Sequence, residues 1–189
     1  MTYEDSSKKA ANPAPLGLLS FGVTVVTLSL HYLGVIEFNI GIVAMGLVLG
    51  GLAQIVAGLI EYRNNNFLIA TVFVAYGMLW WSLVIIWVNP FAGTIAPIDG
   101  MTMGFYLLMW GIITLFFSIC ALKENLFTKI VFFALTAVFL LLSTYDFTGI
   151  VAISRVAGII GVFAGAGAIY IGLAHLVNIT YKRNILPLG

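Results

Sequence analysis

Residues 67–88 read FLIATVFVAYGMLWWSLVIIWV, twenty-two positions in a row without a charged side chain. A bilayer core about 30 Å thick needs about 20 apolar residues in one helix, so this run predicts a transmembrane helix. Five more long apolar runs lie near residues 16–33, 40–60, 101–122, 126–144 and 151–178. The chain is therefore predicted to be an all-α integral membrane protein with six transmembrane helices.

The composition fits this class of protein and excludes several others. Hydrophobic residues make up 62% of the 189 positions and charged residues 8%, whereas a soluble domain is about a quarter charged. A water-soluble enzyme is excluded. The single cysteine, Cys120, lacks the cysteine and histidine neighbours of a metal site. A net charge of +1 does not favour nucleic acid, which binds clustered basic surfaces.

Motifs for catalysis are also missing from the sequence. It contains no mid-membrane pair of carboxylates, no histidine cluster with ligand spacing and no glycine-rich phosphate loop. We therefore predict that the chain is not an enzyme and holds no catalytic residue, cofactor or metal ion.

The distribution of lysine and arginine predicts the orientation in the membrane. With six spans both termini lie on one side, together with seven of the eight basic residues: Lys8, Lys9, Arg63, Lys123, Lys129, Lys182 and Arg183. Because cytoplasmic loops carry the excess of positive charge, both termini are predicted to be cytoplasmic. The predicted layout is a transmembrane domain of residues 12–181 between cytoplasmic tails of residues 1–11 and 182–189.

The two halves of the chain carry a weak internal repeat. Sliding them by 89 residues puts LLSFG at 18–22 over LLMWG at 107–111. Three helices are an odd number, so the second copy would be inverted, and transporters of that kind bind substrate at the repeat interface. Chance recurrence of Leu and Gly in so apolar a chain is an equal explanation.

The first predicted helix carries a stripe of polar residues. Ser20, Thr24, Thr27 and His31 follow one another at spacings of four, three and four, which puts them on one helical face. We expect this face to line a path for water or a polar solute, with His31 as a candidate for proton handling. The alternative is that the hydroxyl groups bond to their own helix and that His31 reaches the headgroups.

Two further helices place polar side chains at depth. Gln54 is predicted in mid-membrane, and Glu61 follows seven residues later on the same face. Since an uncompensated polar group in hydrocarbon is costly, Gln54 should face protein or a water-filled cavity. Glu61 is interpreted as a vestibule residue or as an interfacial anchor. Thr71 is assigned to the same path, and the hydroxyl group of Tyr76 needs a partner.

Four segments of the sequence resemble a known family. They are NPAPLG at 12–17, GGLAQIVAG at 50–58, Tyr76-Gly77 and VFFALT at 131–136. Together they resemble the acetate uptake transporter family, the GPR1/FUN34/YaaH group. The resemblance implies a six-helix protein of a prokaryotic plasma membrane, a fold related to proton-gated urea and amide channels, and a homohexamer with one pathway in each subunit.

The resemblance also implies a function and site residues. It implies transport of acetate, succinate and other short carboxylates, proton-coupled or channel-like, so the partners are a small carboxylate, protons and the lipid bilayer. It places a hydrophobic constriction at Phe21, Tyr76 and Leu135. This chain has His175 where enteric relatives carry an acidic residue, so a coupling role there does not transfer directly. The candidates for proton handling are His31, Glu61 and His175.

A physical argument links such a constriction to monocarboxylates. A carboxylate is costly to remove from water, whereas the neutral acid keeps only modest polarity, so an apolar constriction favours movement of the anion together with a proton. Asn12 is predicted to cap the first helix and Pro13 to begin it, so free backbone N–H groups there would attract an anion. Two alternatives remain open: a channel for urea or short amides, and a membrane sensor that transports nothing.

Overall fold

Six long helices form the protein. The computed structural model describes residues 11–89, 91 and 93–188, so the predicted tail of residues 1–11 lies almost wholly outside the described part. Within that part the helices are α1 (Ala14–Tyr32), α2 (Ile40–Arg63), α3 (Phe67–Val88), α4 (Gly100–Cys120), α5 (Leu126–Thr148) and α6 (Val151–Tyr181). All six are long and apolar enough to cross a membrane, and the prediction of an all-α protein with six spans is confirmed.

The two ends of the helix bundle carry different segments. One end holds the connections that begin at residues 33, 89 and 149, and we call it the loop end. The other end holds the connections 64–66 and 121–125, residues 11–13 before α1 and residues 182–188 after α6, and we call it the terminal end.

The six helices form a closed ring. Each packs against its neighbours in sequence, and α6 returns to pack along α1. Gly22 on α1 lies against the backbone of α6, because a Cβ atom added to it would lie 2.6 Å from the carbonyl oxygen of Gly165. Small residues at such crossings let membrane helices approach closely. The α3–α4 pair is the exception in the ring, since these two neighbours share the least contact.

Side-chain caps fix where three of the helices begin. Asn39, Asp99 and Asn125 each accept a hydrogen bond from a backbone N–H of the first turn, at 2.8, 2.8 and 2.9 Å. Hydrogen bonds from the backbone and the hydroxyl group of Thr102 hold the pKa of the exposed Asp99 carboxyl below its usual value. These caps satisfy N–H groups that a helix cannot pair internally.

The first helix begins one residue later than the sequence predicts. Its first helical residue is Ala14, and Pro13 occupies the cap position. Asn12 still makes the predicted capping bond, because its Oδ1 accepts from the N–H of Ala14 at 2.9 Å. The start of α1 therefore lies at the terminal end with Asn12 beside it.

One part of α2 departs from α-helical geometry. Residues Gly46–Ala53 form a π-helix, in which each N–H bonds five residues back instead of four. The Trp81 indole N–H donates to the Leu47 carbonyl oxygen within that segment at 3.0 Å. The wider turns change the rotational position of the residues that follow, and Gln54 is the first of these.

The chain turns back along the bundle after α6. Asn178 Oδ1 accepts hydrogen bonds from the backbone N–H groups of Ile185 and Leu186, at 2.8 and 3.0 Å. The Tyr170 hydroxyl donates to the carbonyl oxygen of Pro187 at 2.7 Å. The segment after α6 is therefore held against the terminal end of that helix.

Candidate functional site

A cavity of about 410 Å³ opens at the terminal end of the ring. Its wall is built by α1, α2, α3, α5 and α6, whereas none of the described residues of α4 lines it. The volume lies within the range of about 300–1,000 Å³ that is typical of small-molecule sites. The polar residues around its outer part are Asn12, Glu61, Asn64, Asn66, Glu124, Asn125, Thr128 and His175.

The inner end of the cavity lies near the middle of the bundle. The deepest lining residues of the five wall helices are, in chain order, Phe21, Gln54, Tyr76, Leu135 and Ile171. Tyr76 and Leu135 each lie nine residues beyond the first residue of their helix, which is about 14 Å along the axis. Half of a hydrocarbon core about 30 Å thick is a similar distance, so the cavity reaches the middle of the membrane.

Phe21, Tyr76 and Leu135 form the apolar part of the inner end, which we call the neck. The rings of Phe21 and Tyr76 stack, with centroids 5.6 Å apart and planes 20° apart. All three side chains are buried, at 6%, 2% and 4% exposure, and they belong to one hydrophobic cluster. The structure thus gathers at one depth the three residues for which the resemblance implies a constriction.

Gln54 is the polar residue at the inner end. Its side chain is 0% exposed, yet neither Oε1 nor Nε2 has a hydrogen-bond partner among the described residues. An unsatisfied buried polar group costs about 1–3 kcal/mol, which a molecule in the cavity would offset by bonding to the carboxamide. Because a carboxamide both donates and accepts, it fits a ligand that can do the same.

Three side chains with a carboxyl or imidazole group line the outer part of the cavity: Glu61, Glu124 and His175. Glu61 on α2 is buried in the wall, and His175 on α6 is half-buried. Both predicted residues therefore reach the cavity, from different helices. In the described ranges no three His, Cys, Asp or Glu side chains group as metal ligands. The wall therefore offers hydrogen-bonding groups and three titratable side chains.

The polar stripe of α1 does not line the cavity. Ser20 and Thr24 are buried, and the Thr24 hydroxyl donates to the Ser20 carbonyl oxygen at 2.8 Å. The Thr27 hydroxyl donates to the Val23 carbonyl oxygen at 2.8 Å. Both hydroxyl groups therefore bond to their own helix, which is the alternative to lining a path that the sequence also allows. Phe21 lines the cavity instead, about 100° around the helix from Ser20.

His31 and Thr71 also lie outside the cavity. The His31 ring packs edge-on against Phe38 at the loop end, with centroids 5.4 Å apart, and its Nδ1 lies 3.3 Å from the Ile36 carbonyl oxygen. Thr71 is exposed on α3, where its hydroxyl donates to the Phe67 carbonyl oxygen at 2.7 Å. The predicted residues that the cavity gathers are Asn12, Phe21, Gln54, Glu61, Tyr76, Leu135 and His175.

One buried hydroxyl behind the neck has no counterpart in the sequence predictions. The Tyr76 hydroxyl donates to Thr114 Oγ1 on α4 at 2.9 Å, and Thr114 is fully buried. The sequence indicates that Tyr76 needs a partner but gives no signal for this one, because a threonine in an apolar helix commonly bonds to its own backbone. Only the position of α4 behind α3 identifies Thr114.

Known proteins are similar to this chain in sequence and in fold. A protein of Methanothermobacter thermautotrophicus is 45% identical over 96% of this chain and 92% of its own length. The succinate-acetate/proton symporter SatP of Escherichia coli is 42% identical over 96% of each chain. The solved structure of the bacterial acetate channel SatP matches with a TM-score of 0.93 and 42% identity, over 96% of this chain and 100% of that one.

The similarity extends over nearly the full length of the chain. The SatP proteins are a symporter and a channel, and neither is an enzyme. Residues 2–187 match one family, which the six-helix fold and the SatP structure also indicate. By this match this chain belongs to the GPR1/FUN34/yaaH family.

Proposed function

We propose that this chain transports acetate, together with succinate and other short carboxylates, across the membrane. One observation carries the proposal: the Gln54 carboxamide, which has no partner in the part of the chain that the structure describes, lies beside the apolar neck at the inner end of a cavity. Acetate has a polar carboxyl group that matches the carboxamide and a methyl group that matches the apolar neck. The names of the SatP relatives, which describe acetate transport, support the same conclusion.

The neck favours the protonated acid over the anion. Removing a carboxylate from water is costly, whereas a carboxyl group that has gained a proton keeps only modest polarity. The protonated carboxyl group both donates and accepts, so the Gln54 carboxamide can hold it while the methyl group faces Phe21 and Tyr76. In this mechanism acid and proton pass the neck together.

The outer cavity supplies the groups that capture the anion and handle the proton. Asn12 and the N-terminus of α1 lie at the mouth, where a helix start attracts negative charge. Glu61 and His175 line the cavity between this mouth and the neck and are the proposed proton carriers. Thr27 and Thr71 are not part of the proposed pathway, because their hydroxyl groups donate to carbonyls of their own helices.

We propose that both termini are cytoplasmic, so that the cavity opens toward the cytoplasm. The seven-to-one distribution of basic residues supports this orientation in the plasma membrane. The transport domain then comprises residues 12–181, and the residues on either side of it are cytoplasmic.

Cysteine labelling tests this orientation. The exposed Cys120 is first replaced by serine, and Ser6→Cys, Thr94→Cys and Asn184→Cys are then introduced one at a time. An impermeant thiol reagent added to intact cells should label the cysteine at position 94 only. Labelling at position 6 or 184, with position 94 protected, would reverse the proposed orientation.

We propose a homohexamer with one pathway in each subunit. Large apolar side chains face outward, among them Phe116 on α4 and Phe163 on α6, which are 63% and 74% exposed. Lipid or a neighbouring subunit has to cover such a surface. Native mass spectrometry of the protein extracted from membranes should give six copies of the chain, and a monomer that transports acetate would contradict the proposal.

Flux through proteoliposomes tests the proposed substrate. Uptake of labelled acetate and of labelled urea is measured with and without an inward proton gradient. Urea is the competing solute because a neutral amide would also bond to Gln54. Acetate uptake should exceed urea uptake and rise with the gradient. Faster urea uptake would assign an amide channel, and no uptake of either by correctly assembled protein would favour a sensor.

A further inference from the structure

The helix that does not line the cavity carries two buried hydroxyl groups directly behind the neck. Thr114 and Ser118 on α4 are both 0% exposed. They lie four residues apart, so they share one face of the helix. Burying two hydroxyl groups in an apolar helix is favourable only where each finds a partner, so their bonds reveal what this face does.

Both hydroxyl groups connect α4 to the neck. Thr114 Oγ1 accepts from the Tyr76 hydroxyl on α3 at 2.9 Å. Ser118 Oγ donates to the Thr114 carbonyl oxygen at 2.8 Å and lies 2.9 Å from Thr136 Oγ1 on α5. Thr136 directly follows Leu135 in the chain. One face of α4 thus contacts two of the three helices that form the neck.

The bond to Thr114 joins the two neighbouring helices whose backbones have the fewest close approaches in the ring. Neighbours α3 and α4 share the least contact in the ring. Besides the Tyr76–Thr114 bond, a second pair of hydroxyl groups spans this boundary, Ser82 and Tyr106, whose oxygens lie 2.6 Å apart. These hydrogen bonds, together with the contacts of the Tyr76 ring with Trp110 and Phe117, therefore connect α3 to α4.

We propose that Thr114 is a positioning residue that keeps the neck apolar by holding the Tyr76 hydroxyl on the α4 side, away from the cavity. This inference rests on the proposed function. The ring of Tyr76 lines the cavity while its hydroxyl group bonds to a helix that does not. Without the Thr114 oxygen, the hydroxyl would need another partner, and the unpartnered Gln54 carboxamide lies at the same end of the cavity.

A pair of test substrates separates the polarity of the neck from its width. Lactate and propionate have the same carbon chain, and lactate carries one additional hydroxyl group. A Tyr76 hydroxyl that turns into the neck could bond to the carboxyl group of either acid, but only lactate offers it an additional hydroxyl partner. The ratio of lactate to propionate uptake therefore reports polarity, whereas the ratio of propionate to acetate uptake reports width.

Thr114→Val is the central variant, since it removes the acceptor and keeps the branched shape. It should raise the lactate-to-propionate ratio about threefold to tenfold, the range that one hydrogen bond contributes. Thr114→Ser keeps the oxygen and should restore the wild-type ratio. In the Tyr76→Phe background, Thr114→Val should add nothing, because the hydroxyl group that it releases is gone. Thr114→Ala gives the same expectation if the valine variant does not assemble.

Ser143→Ala is the matched control. The Ser143 hydroxyl also forms a buried bond between α5 and α4, to the Gly104 carbonyl oxygen at 2.8 Å, but it lies outside the cavity lining. It should leave both ratios unchanged.

Two results would overturn the inference. One is an unchanged lactate-to-propionate ratio in Thr114→Val while Leu135→Ala raises the propionate-to-acetate ratio, which would leave the neck in place and remove the role of Thr114. The other is a Thr114→Val effect that persists in the Tyr76→Phe background, which would show action through packing. If Leu135→Ala and Phe21→Ala also change neither ratio, the neck itself is wrong, and the proposed pathway fails with it.

Discussion

Buried polar groups distinguish the terminal and loop halves of the six-helix ring. In the terminal half, the Gln54 carboxamide is buried without a partner in the described chain and faces a cavity. In the loop half, the hydroxyl groups of Ser82 and Tyr106 bond to each other, and Ser143 bonds to the Gly104 carbonyl. The unpaired atoms of Gln54 are available to a molecule in the cavity, whereas paired groups hold helices together, as Ser118 and Thr136 also do in the terminal half.

The two halves also differ in how they fill their interior. Toward the loop end, the Trp87 ring contacts Trp80 and Phe38, with centroids 6.4 and 5.1 Å apart. Trp80 in turn packs against Gly50. Aromatic side chains of this size leave little space, whereas five helices of the terminal half enclose about 410 Å³. Substitutions in the two halves should therefore act on different properties.

Gln54→Leu should have the largest effect on transport. It removes the donor and the acceptor for the carboxyl group at nearly constant size, so acetate uptake should fall about tenfold to a hundredfold, as the loss of two hydrogen bonds to a substrate implies. Because Gln54 has no hydrogen-bond partner among the described residues, the melting temperature of the assembled protein should stay the same or rise. Wild-type uptake would mean that Gln54 has a structural role and does not bind the substrate. A lowered melting temperature without loss of uptake would mean the same.

Leu135→Ala should have the next largest effect, on selectivity. The substitution removes three carbon atoms, which leaves room for the additional methylene of propionate, and one methylene changes discrimination by about tenfold. The ratio of propionate to acetate uptake should rise accordingly. Phe21→Ala should act in the same direction, at a cost in stability of about 3–5 kcal/mol, so the oligomer is checked by size-exclusion chromatography.

The control for the neck is Phe116→Ala on the outer surface of α4. This side chain is 63% exposed and lines no part of the cavity. Its truncation should leave the ratio of propionate to acetate uptake at the wild-type value. A shift equal to that of Leu135→Ala would mean that the selectivity is not determined at the neck.

The sequence predicted elements well wherever hydropathy alone determines them. The run of residues 67–88 coincides with α3 at both ends. The cost of a carboxamide in hydrocarbon predicts that Gln54 faces protein or a water-filled cavity, and its side chain lines the cavity. Both predictions depend on the free energy of placing one side chain or one run of residues in lipid. Neither requires knowledge of which helices are neighbours.

The predicted residues that do not line the cavity are those whose position depends on which helices are neighbours. Ser20, Thr24 and Thr27 do share one helical face, but spacing does not show which helix that face meets. Their hydroxyl groups are also of a type that the helix itself can satisfy, unlike the Gln54 carboxamide. The sequence does not predict the π-helix of α2 for a related reason, because an apolar run does not show to which carbonyl oxygen each N–H donates.

Trp81→Phe should have a smaller effect, through that π-helix. The substitution keeps an aromatic ring but removes the N–H that donates to Leu47. With this bond gone, the segment before Gln54 loses a contact that holds its wider turns, so acetate uptake should fall about threefold, the effect of one hydrogen bond. Trp87→Phe makes the same replacement at the loop end of the same helix and should leave uptake unchanged. Equal losses in both variants would exclude a specific role for the Trp81 bond.

Ser143→Ala should have the smallest effect on transport and a measurable one on stability. The Ser143 hydroxyl is buried and bonds to the Gly104 carbonyl, which loses its additional partner when the hydroxyl is removed. The free energy of unfolding should fall by about 1 kcal/mol, seen as a lower melting temperature of the purified oligomer. Acetate uptake per assembled protein should equal that of the wild type, because Ser143 lies outside the cavity lining.

Gln54→Leu and Ser143→Ala are thus expected to show opposite patterns, one losing transport and the other stability. Loss of uptake in Ser143→Ala at an unchanged melting temperature would place a transport function in the loop half and remove the distinction between paired and unpaired polar groups.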